Sequence, residues 1–243
     1  MKNEKIFEEH TYFPLHAILL FGALRAEEKL PDVLNFMRQS EAFQEFWCGD
    51  LPYQYLIWPV YHLAQQQLDA LKAYVLEEDN LWSFRSLAVH VVSQVMILQP
   101  HRREECLTWF QEVLSYLIQN QDNPRLMDSH LLVDIIDQAQ ANQASELEPL
   151  LKEIYTRNLV PIHLHGSWEE VQEILHNPIS RNVLQADADI KIVYVNLKDG
   201  KAPVAYEKLF GYEAFQARLE ETRYKYSVFD FLSPDVPQDW FEE

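Results

Sequence analysis

The residues best placed by type and spacing for chemistry are histidines. His163-Leu164-His165 is the tightest pair. Val160 to His165 reads as a short extended segment, and residues two apart on a strand point to the same side, so both imidazoles could meet one metal ion. Glu169 or Glu170 would add a carboxylate. The plainer account is a pair of surface histidines in a connection between helices, and it is preferred here: no metal and no other cofactor is assigned. A second set lies earlier in the chain. His62, His90 and His130 fall on the second members of three successive helix pairs. Gln94 follows His90 by one helical turn, and Asp134 follows His130 by one turn. Together with Tyr55 they make a candidate binding wall of Tyr55, His62, His90, Gln94, His130 and Asp134. Its rival is that each side chain is solvated or locally satisfied. No catalytic residue is assigned.

Other groups have simpler readings. Glu77-Glu78-Asp79 and Glu104-Glu105 resemble acid/base pairs, but they sit in a turn and in a first helical turn, where carboxylates cap helices and meet the helix dipole. Trp47, Trp58, Trp82, Trp109 and Trp168 are read as core aromatics rather than an aromatic box. The sequence has no G-x-S-x-G, no Walker A loop, no G-x-G-x-x-G and no H-E-x-x-H. With 5 glycines in 243 residues, phosphate-cradling loops are disfavoured, and long helices are favoured over tight turns.

Charge narrows the partners. Lys and Arg number 20 against 38 Asp and Glu, a net charge of −18. Affinity for nucleic acid comes from cations on phosphates, so nucleic acid is an unfavoured partner, and anionic membrane surfaces are unfavoured for the same reason. A basic protein would be favoured. The blander account of the acidity is solubility. Cys48 and Cys106 stand far apart in no C-x-x-C, which fits a reducing, cytoplasmic setting. The apolar run 15–24 is about ten residues long, too short to span a bilayer and without a cleavage site.

These side chains need elements to hold them. Leu68, Leu71, Val75 and Leu76 share one helical face. After the acidic turn Glu77–Asn80, so do Phe84, Leu87, Ala88, Val91, Val92, Val95 and Met96. This is an αα-hairpin. Around it the sequence predicts helices at 12–26, 30–39, 51–64, 102–119, 126–141 and 147–158. Residues 40–49 are expected to be irregular, and Pro59 to kink its helix. Helix starts recur every 35 to 45 residues, the range for stacked helix pairs. Ser167 with Glu170 predicts a capping box for a helix over 168–176. Asp189–Leu197 alternates apolar and polar residues before Lys198-Asp199-Gly200, a hairpin signal, with 202–206 as a second strand and 211–223 as a further helix.

The stretch 71–92 resembles the HEAT repeat: Asp79 stands in the inter-helix turn and Arg85 early in the second helix, followed by Leu87-Ala88. The resemblance implies that Arg85 bonds within or between repeats. Residues 14–175 are also similar to a bacterial family with a HEAT-like fold, catalogued as a domain of unknown function. The features that carry this are P-L-H-A-I-L-L-F-G-A-L-R-A from Pro14, Gly49-Asp50, F-R-S-L-A at 84–88, R-R-E-E at 102–105 and L-V-P-I-H-L at 159–164. That likeness covers about two-thirds of the chain and implies no activity. Some relatives end in a cysteine-rich zinc motif. This chain has no cysteine after Cys106, so that zinc site is not implied.

The expectation is therefore a mainly α protein: a HEAT-like α-solenoid over 12–160, with a small mixed α/β C-terminal portion over 161–243. Its expected role is a non-enzymatic scaffold presenting a curved acidic surface to another protein. The rival is a metal- or small-molecule-binding helical-repeat enzyme using the histidine-lined groove.

Overall fold

The computed structural model describes residues 13–48 and 54–177, with side chains described over 14–44 and 56–177. These residues are mainly helical, and no strand occurs among them. In chain order the helices are α1 (Phe13–Leu24), α2 (Leu30–Met37), α3 (Glu41–Cys48), α4 (Gln54–Ala64), α5 (Leu68–Val75) and α6 (Trp82–Leu98). They are followed by α7 (Arg103–Gln119), α8 (Ser129–Ala141), α9 (Glu148–Thr156), the single turn α10 (Ile162–His165) and α11 (Trp168–His176). The expected hairpin and mixed α/β portion at 189–223 lie outside the described residues.

Two rows of helices share one core. In the first row, α5 touches α7 and α7 touches α9. In the second, α1 touches α4, α4 touches α6, α6 touches α8 and α8 touches α11. The core runs unbroken from Leu15 to Leu175. The second row is the more deeply buried. From Phe84 to Met96 every residue of α6 except His90 is buried. Four valines fall in that span, and β-branched residues are poor helix formers. The helix forms because packing on several sides outweighs propensity.

Joints between helix pairs recur at a regular sequence distance. Arg38 bonds Glu77, Lys72 bonds Glu112, Trp109 Nε1 donates to the Leu68 carbonyl, and Arg103 donates to the carbonyls of Asn142 and Gln143. These partners stand 39 to 41 residues apart. The connections repeat as well. After α1 and after α8 the chain takes a left-handed residue, Arg25 (φ 52°) and Gln143 (φ 50°). The next amide then reaches back, Ala26 to the Phe21 carbonyl at 3.0 Å and Ala144 to the Ala139 carbonyl at 2.9 Å. This is the Schellman closure. A 3₁₀ turn follows in each case, then a helix with proline in its first turn. The underlying R-A-E-E-K-L-P and Q-A-S-E-L-E-P are alike in sequence.

Three sequence expectations are corrected. Residues 41–48 form α3 instead of an irregular stretch. Ser40 Oγ accepts the Phe43 amide at 3.3 Å, and Gln44 Nε2 donates to the Phe36 carbonyl at 2.6 Å, so the start of the helix is capped and tied down. Residues 162–165 form one helical turn, not an extended segment; Pro161, just before it, is extended. The helix expected from Leu126 starts at Ser129, because Asp128 caps it by accepting the His130 amide at 2.8 Å. The capping box at Ser167 and Glu170 is present, with both reciprocal bonds.

Candidate functional site

The candidate wall lies on the second row. α4, α6 and α8 carry His62, His90 with Gln94, and His130 with Asp134. The side chain of Tyr55 lies outside the described residues. His62 is buried, with its ring 5.3 Å from both the Trp58 and Tyr61 rings, edge to face. It is packed as a core residue of α4. Gln94 is buried too. The surface-facing part of the set is therefore His90, His130 and Asp134.

Neighbouring helices bring these three into two contacts. His90 Nε2 lies 3.5 Å from Asp134 Oδ1, across the α6–α8 packing. One turn towards the helix starts, the His130 ring stacks on Trp82 at 4.9 Å with 28° between planes. His130 Nδ1 lies 3.2 Å from Asp128 Oδ1. Trp82 is thus an exposed aromatic at the mouth of the site, not the core residue expected. Trp58 and Trp109 are buried as expected. At the far end of the same two helices a pocket of about 290 Å³ is lined by Met96, Ile97, Pro100, Arg103, Asn142 and Gln143. Its guanidinium is already engaged, since Arg103 donates to two backbone carbonyls and pairs with Glu146 at 3.0 Å.

The His163/His165 pair does not share a face. Residues two apart on a helical turn point roughly 200° apart. His163 is exposed, whereas both ring nitrogens of His165 are engaged: Nε2 with Asp137 Oδ1 at 2.7 Å and Nδ1 with the Tyr155 hydroxyl at 3.1 Å. Glu170, one of the carboxylates considered for a metal, caps α11 with Ser167. Among the described residues, no group of three or more His, Cys, Asp or Glu is placed to hold a metal ion.

The chain Asp137–His165–Tyr155 was not visible in the sequence, because its members lie on α8, α10 and α9 with no fixed spacing. Burial pushes the Tyr155 hydroxyl up to about 12, and the nearby Asp137 and Glu170 carboxylates add to the rise. Tyr155 is thus neutral at ordinary pH, and its hydroxyl meets His165 Nδ1 while Nε2 meets the Asp137 carboxylate. The chain ties α10 to the body. It does not produce an activated nucleophile.

Several of the described cations are engaged elsewhere. Lys29 pairs with Asp32, Arg38 with Glu77, Lys72 with Asp69 and Glu112, Arg102 with Glu105, Arg103 with Glu146 and Arg157 with Glu153. By contrast, the ion-pair partners of Asp134 and Asp137 among the described residues are histidines. Among the described residues, the second-row face of α6 and α8 thus sets the carboxylates of Asp134 and Asp137 against imidazoles. Arg85 and Asp79, the residues matched to the HEAT pattern, lie in joints between helix pairs. Arg85 Nε donates to the Val75 carbonyl at 2.7 Å and Nη1 to the Leu126 carbonyl at 2.5 Å.

No protein-family model, curated protein or solved structure matches this chain. No helix among the described residues is long and apolar enough to cross a membrane.

Proposed function

We propose that this protein is a HEAT-like helical-repeat scaffold that holds a basic segment of another protein along the acidic face of α6 and α8. The observation that carries the reading is where the charges lie. Arg38, Lys72 and Arg103 join one helix pair to the next across 39 to 40 residues, while Lys29, Arg102 and Arg157 pair with carboxylates three or four residues away. Among the described residues, the ion-pair partners of Asp134 and Asp137 are histidines. A surface of one sign steers a partner of the other sign and fixes its register. The repeated joints and the matching closures at Arg25 and Gln143 support the solenoid part of the reading. Trp82 and His130 supply a flat aromatic edge beside the carboxylates, suited to a guanidinium or an ammonium.

The test is affinity capture on the immobilised full chain, washed at low and then high salt. The reading expects one basic protein at near-equal amount, released by salt and lost with the Asp134→Asn/His130→Ala double variant. Empty capture, or capture indifferent to both salt and substitution, refutes it.

A further inference from the structure

His130, Asp134 and Asp137 follow one another at spacings of four and three, so they form one stripe along α8. Both aspartates of the stripe meet an imidazole from another helix. His90 Nε2 of α6 lies 3.5 Å from Asp134 Oδ1, and His165 Nε2 of α10 lies 2.7 Å from Asp137 Oδ1. In each contact the imidazole is the more sheltered partner. The side chains of His90 and His165 are 12% and 11% exposed, against 18% and 50% for Asp134 and Asp137.

Other joints of the array are built from fixed charges. Arg38–Glu77, Lys72–Glu112 and Arg103–Glu146 use arginine or lysine, which stay charged well above neutral pH. Histidine is the side chain that changes charge between about pH 5 and 8, a range over which ordinary carboxylates stay ionised. Acidification over that range leaves those joints as they are and acts on the stripe. There an imidazolium cancels the charge of the aspartate it touches. It also occupies the carboxylate that a lysine or arginine of a partner would need.

The neighbouring charged groups are engaged or face solvent. On α4, His62 packs against Trp58 and Tyr61. On α5 and α7, which also pack on α6, Lys72 pairs with Asp69 and Glu112, and Arg103 with Glu146. Arg102, on the 3₁₀ turn between α6 and α7, pairs with Glu105, and His101 and Glu104 are exposed. On α11, Glu170 is bound in its capping box, His176 meets Glu148, and Glu169 and Glu173 are exposed. The His165 ring also meets the Tyr155 hydroxyl. His130 faces Asp128 at 3.2 Å and stacks on Trp82.

We propose that acidification closes this face: protonated His90 and His165 take Asp134 and Asp137 as ion-pair partners and displace a basic ligand. The gate rests on the acidic face of α6 and α8 holding such a ligand. Fluorescence anisotropy of a labelled oligo-arginine peptide with the full chain, from pH 8 to pH 5.5 at constant ionic strength, tests it. An imidazole one pH unit below its midpoint is about nine-tenths protonated, so each competing pair lowers affinity about tenfold. The wild type is therefore expected to lose at least about tenfold in affinity across the range. His90→Gln/His165→Gln should match it at pH 8 and stay within about twofold of that value at pH 5.5. His163→Gln, at an exposed position, should behave as the wild type does. A second measurement needs no substitution. Binding linkage is reciprocal, so saturating peptide should push protonation of the His90 and His165 rings to lower pH in a ring-proton magnetic resonance titration, and leave His163 where it was. Binding that is constant over the range, or a double variant that still loses it, overturns the gate and leaves the role of the acidic face standing. No binding at pH 8 overturns both. If the double variant loses helix by circular dichroism, the titration decides, and rings that ignore the peptide overturn the gate.

Discussion

Two arginines close the same joint, one inside and one outside. Arg85 and Arg125 both tie the turn after α5 to the turn before α8. Arg85 is 2% exposed and bonds only carbonyls, those of Val75 and Leu126. Arg125 has a side chain 61% exposed and bonds only carboxylates. Its Nε lies 2.9 Å from Asp79 Oδ1, its Nη2 contacts Asp79 Oδ2, and its Nη1 is 2.9 Å from Glu78 Oε2. The outer clasp has more contacts and full opposite charge. The inner one has two neutral acceptors, and burial lowers the Arg85 guanidinium to about 10. Counting contacts would rank the outer clasp first. Solvent reverses the order: water replaces an exposed ion pair almost without loss, but nothing replaces a donor to a buried carbonyl.

The comparison is broken most directly by Arg85→Ala. It leaves the Val75 and Leu126 carbonyls without their donor and opens a cavity between α6 and two turns. Each orphaned carbonyl costs about 1–3 kcal/mol, and the total loss is expected at about 3–5 kcal/mol in urea unfolding. Arg85→Lys should not rescue it, because an ammonium cannot span two carbonyls as the planar guanidinium does. If Arg85→Ala costs under about 1 kcal/mol, burial is not what sets the value of this joint.

Gly22→Ala probes a joint of another kind, one made by close approach of two main chains. A Cβ at Gly22 would run into the backbone and ring of Pro59, so α1 and α4 touch there main chain to main chain. Alanine is the better helix former, yet the clash should dominate, with a net loss of about 1–3 kcal/mol. A stabilised Gly22→Ala would mean that the two helices can separate at no cost. Below these two variants, Tyr74→Phe offers a graded case. It removes one buried bond, from the Tyr74 hydroxyl to the Met37 carbonyl at 2.9 Å, and should cost about 1–2 kcal/mol.

What the sequence reveals follows the same division. Apolar periodicity placed α5, α6 and α7 well, because a continuous buried face leaves a 3.6-residue signature in each helix. The resemblance to the HEAT repeat, not periodicity, implied that Arg85 bonds within or between helix pairs, and its guanidinium reaches the Val75 and Leu126 carbonyls. The sequence reading missed α3, whose signal is the local cap at Ser40 rather than periodicity. It placed His62 on a groove because it counted helices and not sides; Trp58 and Tyr61, one turn before it and next to it, were the hint that this face is core. The site contacts His90–Asp134, Trp82–His130 and Asp137–His165 each join two helices 28 or more residues apart, and only packing selects such pairs. One long-range signal was present: the like segments R-A-E-E-K-L-P and Q-A-S-E-L-E-P, which mark the same closure twice.

The smallest effect sharpens the comparison most. Arg125→Ala removes every contact of the outer clasp, and its melting temperature is expected to match the wild type at moderate salt, with a slight drop only at low ionic strength. A local change should accompany this near-silence. Hydrogen bonding to Arg125 holds the Asp79 carboxyl below the usual range, with the arginine's charge adding to it. A carboxyl whose pKa is lowered on folding stabilises the fold above its unfolded value, and that contribution disappears as pH falls through the folded value. In Arg125→Ala the Asp79 carboxyl should return to the ordinary range in a carbon-detected titration, and this share of the acid dependence should vanish. The left-handed Asp79 backbone (φ 64°) and its amide bond to the Arg125 carbonyl at 2.9 Å do not involve the lost side chain and should survive. A restored pKa with an unmoved melting temperature would separate the two arginines cleanly: one reports the joint, and the other holds it. A large fall in melting temperature would instead show that solvent does not discount the outer clasp, and the ranking by burial would fail.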